Sequence, residues 1–178
     1  MKIPVFVSCP KSYLERQEKF LLQVESHLES CDLIPMTLGR SEYSIDAPLE
    51  AIRRLMGGSF GLICLAFRRT LITEGRDRPK SDMQEKEVDR SGTWLSSPYS
   101  QIEPAMAYQI GLPVLIWRES GVTPDGLLDR GAVGLSMPEF DLNIPPDLTE
   151  PKWGQPLRDW IDRVRNAHRH TAKAPKLW

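Results

Sequence analysis

The stretch Ser-Ser-Pro-Tyr-Ser-Gln-Ile-Glu-Pro-Ala-Met-Ala-Tyr-Gln-Ile-Gly-Leu-Pro-Val-Leu-Ile-Trp, residues 96–117, decides how this chain is read. It describes a helix that passes through Gly-Leu-Pro into a short apolar strand at Pro113–Trp117. A strand with no polar alternation is expected where helices cover both faces of a parallel sheet. The same stretch places one carboxylate, Glu103, in the opening turns of its helix. Open α/β sheets bind their ligands in such places, near helix N-termini and outside the carboxyl ends of strands.

Working outward, Phe60–Phe67 is a second continuously apolar run and reads as the sheet centre. Ile3–Val7 reads as the first strand, ending at Ser8-Cys9-Pro10. Ser12 is placed to cap the next helix, in which Leu14, Phe20, Leu21, Val24 and Leu28 recur at helical spacing through about Ser30. Leu33–Leu38 reads as an edge strand because of Pro35. After a polar loop at Gly39–Asp46, Pro48 opens a helix carrying Leu49, Ile52, Leu55 and Met56, which Gly57-Gly58 ends.

Thr70–Gly92 alternates acids and bases with almost no apolar periodicity, so a long mobile loop is expected, with a helical turn near Met83–Val88. Gly121–Arg130 reads as a loop with a short helix, Ala132–Ser136 as a last short strand, and Pro156–His168 as the final helix. Strands alternating with helices predict a flavodoxin-like α/β three-layer sandwich, its mostly parallel five-stranded sheet in the order 2-1-3-4-5. We expect one domain over residues 1–178, with a charged insertion at 70–92 and a basic tail at about 169–178.

Composition narrows the function classes. The chain has 178 residues, a formal net charge of −1 and 26% charged residues. No global basic field recruits nucleic acid or an anionic membrane, and no apolar run approaches a membrane span or a secretory signal. Cys9, Cys31 and Cys64 lack CxxC spacing and read as reduced thiols of a cytoplasmic protein. With His27, His168 and His170 scattered, neither a metal site nor a cofactor is expected.

In the predicted topology, the switch point lies between the first and third strands. Their carboxyl ends supply Ser8, Cys9, Pro10 and Lys11 on one side and Phe67, Arg68 and Arg69 on the other. Glu103 joins them from its helix. A carboxylate beside cations suits a phosphate-bearing ligand with a reactive sugar carbon, the cations holding phosphate and the carboxylate an oxocarbenium-like centre. Tyr99, four residues before Glu103, is placed to stack on a base or bond a ribose.

Each residue also has a structural reading. Ser100-Gln101-Ile102-Glu103 matches a capping box. Tyr99 can pack over the helix start, Arg68 and Arg69 can be solvated, and Ser8 can cap a local turn. Cys9 reads as a small buried residue, and Arg40 and Tyr43 sit in the loop after the second strand. No phosphate-binding glycine fingerprint and no nucleophile elbow is present.

Three passages resemble the superfamily of TIR domains and nucleoside 2-deoxyribosyltransferases. Val5-Phe6-Val7-Ser8, with the helix containing Phe20-Leu21, is similar to the opening of TIR domains. Ile52–Ala66 resembles the helix leading into the central strand, and Trp94–Ile116 the segment in which a catalytic glutamate opens a helix. The resemblance covers most of residues 3–136 and implies that Glu103 cleaves an N-glycosidic bond, kept ionised by the helix N-terminus. It implies NAD or a related nucleotide as substrate, for which Ser8, Lys11, Arg68, Arg69 and Tyr99 of the predicted crevice are read as the binding residues. It further implies a homo-oligomer and a role in anti-phage defence.

The chain departs from the family in lacking an acidic residue at Ser8–Ser12, and in carrying Ser97-Pro98-Tyr99 where a transferase has an Asp-Gly-Thr type motif. A non-catalytic nucleotide sensor or assembly module and a nucleoside 2-deoxyribosyltransferase are the other readings.

Overall fold

In the computed structural model, the described residues are 2–40, 47–132, 135–136 and 138–170. Tyr43, most of the loop after the second strand and the end of the basic tail lie outside them. The strands Ile3–Ser8 (β1), Leu33–Met36 (β2) and Leu62–Ala66 (β3) pair in parallel, with β1 in the middle. Four short strands follow: Thr70–Leu71 (β4), Arg76–Asp77 (β5), Val88–Asp89 (β6) and Trp94–Leu95 (β7). Val114–Arg118 (β8) and Leu135–Ser136 (β9) then complete a parallel sheet in the order β2-β1-β3-β8-β9. Counted along the sheet alone, that is the expected 2-1-3-4-5.

Helices Glu15–Ser30 (α1), Pro48–Gly57 (α2), Tyr99–Gln109 (α3) and Pro151–His170 (α4) cover the two faces. Alternation along β3 explains the two cores. Ile63 and Leu65 pack with Val5, Val7, Trp117 and the inner sides of α1 and α4, while Leu62, Cys64 and Ala66 pack with Phe6, Ile52, Met56 and Ala107 under α2 and α3. All five β3 residues are buried, so the run is apolar throughout. Among the described residues no helix is long and apolar enough to cross a membrane.

Three helix starts differ from the sequence reading. Ser12 does not cap α1, whose first residue is Glu15. The Gln17 side-chain oxygen instead accepts from the amides of Tyr13 and Leu14, at 3.2 and 3.4 Å. α3 begins at Tyr99, which leaves Ser100 inside the helix. α4 begins five residues before Pro156, because Trp153 is drawn onto the core with its ring 5.5 Å from Trp117. A proline so near the helix start removes one backbone bond and is tolerated.

The segment expected to be a mobile loop is a hairpin arm. Its root pairs β4 with β7, and farther out β5 pairs with β6, both antiparallel. The charges that hid it from a hydrophobic pattern form its cross-strand contacts: Arg76 with Glu87 at 2.5 Å, Arg90 with Asp77 at 2.5 Å, Arg78 with Glu85 at 3.4 Å. Exposed on both sides, such a ladder needs no apolar face, and its register is set by charge pairing. Residues near the tip turn through left-handed Arg78, Lys80 and Gln84, and Met83–Val88 forms no helical turn. The root is clamped to the loop after β8, the Trp94 amide donating to Gly121 O at 3.1 Å and the Thr123 amide to Trp94 O at 2.8 Å.

α4 packs closely over Gly61, immediately before β3. A Cβ there would lie 2.5 Å from Val164 Cγ2 and 3.2 Å from Trp160 Cζ2. Gly61→Ala is expected to destabilise the fold by about 1–3 kcal/mol through overpacking. Gly58→Ala, whose Cβ meets nothing closer than 3.6 Å, should melt within about 1 kcal/mol of the parent. Urea titration of both variants checks the pair.

Candidate functional site

The sheet order reverses between β1 and β3, and beyond their carboxyl ends lies a hollow of about 280 Å³. Cys9, Pro10 and Lys11 from the loop after β1 form one wall. Arg69, Ser97, Tyr99 and Glu103 form the opposite one, and Leu38, Pro48 and Ile52 close it with apolar surface. Four of the six expected site residues therefore meet: Lys11, Arg69, Tyr99 and Glu103.

Arg68 is directed elsewhere. Its backbone amide donates to Glu119 Oε2 at 2.8 Å, its Nε to Ser120 O at 2.5 Å, and its guanidinium lies over the Trp94 ring at 5.8 Å. The carbonyl of Arg68 accepts from Gln17 Nε2 at 3.0 Å. Arg68 thus ties β3, α1, the arm root and the loop after β8 together, and does not line the hollow. Sequence reading missed its anchor Glu119, which is 2% exposed and has a carboxyl raised above the usual range by burial, with the Arg68 amide and guanidinium opposing that rise. The available signal was a charged pair, Arg118-Glu119, closing an otherwise apolar strand.

Ser8 also differs from expectation. It is 1% exposed, does not line the hollow and faces the Glu103 carboxyl from behind. Arg69 sits at the arm root, its Nη1 donating to Ser97 Oγ at 3.3 Å. Ser97 Oγ also accepts the Tyr99 amide at 3.2 Å, serving the first amide of α3. Beyond Lys11 a second hollow of about 360 Å³ shares the Cys9–Lys11 wall and holds Arg40. Arg40 is engaged by Glu18 at 2.6 Å and Glu25 at 3.2 Å.

Glu103 is the fifth residue of α3, one turn past the helix start, and it points into the apolar layer. Two expectations fall with that position. With α3 starting at Tyr99, Ser100 lies inside the helix and cannot be the cap of a capping box. The helix terminus does not keep the carboxyl ionised either: burial pushes its pKa up to about 7, with the Ser8 hydroxyl opposing that rise. Among the described residues no cation forms an ion pair with it.

Pro104 shapes the floor. Lacking an amide hydrogen, it leaves the Ser100 carbonyl without its helical donor, and the Cys64 thiol donates to that oxygen at 3.7 Å. Burial raises both neighbouring thiols, Cys9 and Cys64, to about 12, so neither is a nucleophile at neutral pH. Among the described residues no group of three or more metal-ligating side chains occurs.

No family model and no curated protein matches this chain. Among solved structures, a 2-deoxyribosyltransferase from Leishmania mexicana is similar at 10% identity, over 75% of this chain and 89% of that one, with a TM-score of 0.44. A diflavin flavoprotein A3 from Nostoc sp. is similar at 16% identity over 94% and 97% of the two chains, TM-score 0.46. A flavodoxin-like domain from Synechococcus sp. is similar at 11% identity over 94% and 99%, TM-score 0.42. Likeness at this level carries no argument about chemistry, and the fold assignment rests on the sheet order itself.

A carboxyl with a pKa near 7 in the folded chain and 4.5 unfolded binds more protons when folded across that window. Stability contributed by its protonated form is therefore lost as pH rises from 4.5 through 7, amounting to about 3 kcal/mol above pH 7. Glu103→Gln is expected to raise Tm at pH 8 and leave it unchanged near pH 4.5. Thermal melts at the two pH values check this, and a loss of Tm at both would show that the carboxyl stabilises the fold through its contacts.

Proposed function

We propose that this protein cleaves the N-glycosidic bond of a nucleotide, with Glu103 as the catalytic carboxylate. The observation that carries the reading is a buried carboxyl with no ion-pair partner among the described residues, in the wall of a hollow at the topological switch point. A perturbed titratable group in a cleft is where chemistry is sought. Ionised Glu103 faces C1′ and stabilises the positive charge that develops as the base departs with the bonding electrons. Water then adds to C1′ and gives up its proton. Lys11 and Arg69 supply positive charge at the rim for phosphate, and Tyr99 offers a ring and hydroxyl to the base or ribose.

The leaving group favours NAD over a nucleoside. Nicotinamide departs from a cationic nitrogen as a neutral molecule and needs no proton, so one carboxylate suffices. The described lining of the hollow contains one, Glu103. A TIR-like role in anti-phage defence is the biological setting of this reading. Deoxyribosyl transfer uses the same carboxylate as nucleophile and is separated from it by exchange with added free base. A non-catalytic nucleotide sensor is separated by binding without turnover.

The test is product chromatography after incubating the parent and Glu103→Gln with NAD and, separately, with deoxynucleosides. Nicotinamide release by the parent alone is expected. Because the ionised form acts, kcat should fall about tenfold per pH unit well below the Glu103 midpoint of about 7. Undiminished turnover in Glu103→Gln would remove the assignment.

A further inference from the structure

Two buried polar groups lie side by side at the hollow, Glu103 in its wall and Ser8 behind it. Ser8 ends β1, is 1% exposed, and its Oγ is sealed from solvent with no hydrogen bond of normal geometry. Glu103 is 8% exposed and no ion pair holds it among the described residues. Buried hydroxyls are nearly always bonded, so an unpartnered one beside a buried carboxyl calls for a reason.

Strand and helix periodicity give the direction. Ser8 lies two residues beyond Phe6 and shares its face, which packs with Cys64, Ala66 and Ala107. Glu103 precedes Ala107 by one turn, on the buried side of α3. Ser8 sits opposite Cys64 in the β1–β3 register, and the Cys64 hydrogen is committed to the Ser100 carbonyl at 3.7 Å. The Glu103 carboxyl is the strongest acceptor that the Ser8 hydroxyl faces. Since Ser8 does not line the hollow, it meets the carboxyl and not the ligand.

We propose that Ser8 is a positioning residue whose hydroxyl donates to the charged Glu103 carboxylate, fixing which oxygen faces the hollow. A protonated carboxyl offers this donor a neutral oxygen and an ionised one a charged acceptor, so the bond strengthens as Glu103 loses its proton. The inference stands on the packing, and its consequence for turnover rests on the N-glycosidic reading. Among the described residues, the other titratable or charged groups facing Glu103 are Cys9 and Lys11 after β1, Cys64 on β3, Arg69 at the arm root, and Tyr99 on its own helix. α2 presents uncharged Pro48 and Ile52. None of these is a histidine or a second carboxyl, so a transition near neutrality in this cluster belongs to Glu103.

The experiment is a carbon-13 NMR titration of glutamate-labelled protein, with the Glu103 carboxyl assigned by its absence in Glu103→Gln. The parent midpoint is expected near 7. Ser8→Ala should raise the proton affinity of Glu103 roughly tenfold, the scale of a hydrogen bond to a charged group. Ser8→Cys, close in volume and a weaker donor, should fall between and covers the case in which alanine does not fold. An unmoved midpoint overturns the proposal, including when Ser8→Ala lowers Tm, because packing alone would do that. In the product assay, Ser8→Ala should move the acid limb of kcat upward with KM unchanged. If no substrate is turned over, the titration still decides the role of Ser8 and only the catalytic reading falls.

Discussion

The central strand is sealed on both faces, and this constraint governs everything at its carboxyl end. Polar groups that reach that edge leave water, and each must be matched by a donor or acceptor brought from elsewhere in the fold. Two carboxyls make the contrast plain. Glu119, on the α1 side, is met by an amide and a guanidinium from Arg68, and the result is a junction of four elements. Glu103, on the α3 side, is left with thiols, a hydroxyl and apolar carbon. One site has spent its electrostatics on architecture, and the other has kept them in reserve.

The fold was readable because its signals are hydrophobic. Phe60–Phe67 and Pro113–Trp117 announce two-sided burial, β1 is another short apolar run buried along nearly its whole length, and α1 carries a period-3.6 pattern that survives in the packing. The arm was not readable in the same way. Its order comes from charge pairs between residues 7 to 13 apart, such as Arg76 with Glu87, and hydrophobic periodicity is blind to those. Helix starts were misplaced where a side chain from inside the helix, Gln17, or a tertiary contact, Trp153, replaced the local cap that sequence favours.

The site was legible in outline and not in its wiring. Topology alone brings Lys11, Arg69, Tyr99 and Glu103 to one hollow. Whether an arginine at the end of a strand faces ligand or protein depends on which face it emerges from, and adjacent Arg68 and Arg69 emerge on opposite ones. The protonation of Glu103 likewise turned on one turn of helix. In the first turn a carboxylate meets free amides, whereas one turn later the same residue meets carbon.

The arm has a geometric consequence for the hollow it flanks. Its outgoing strand starts one residue after Arg69 and its returning strand ends two residues before Ser97, so the chain loops out and comes back between two hydrogen-bonded wall residues. The paired root works as a clasp: once Thr70 and Leu95 are zipped, the Arg69–Ser97 contact is closed whatever the length of chain beyond it. Arm length is thereby uncoupled from the shape of the hollow, and insertions or deletions at its tip can accumulate without reaching the carboxylate.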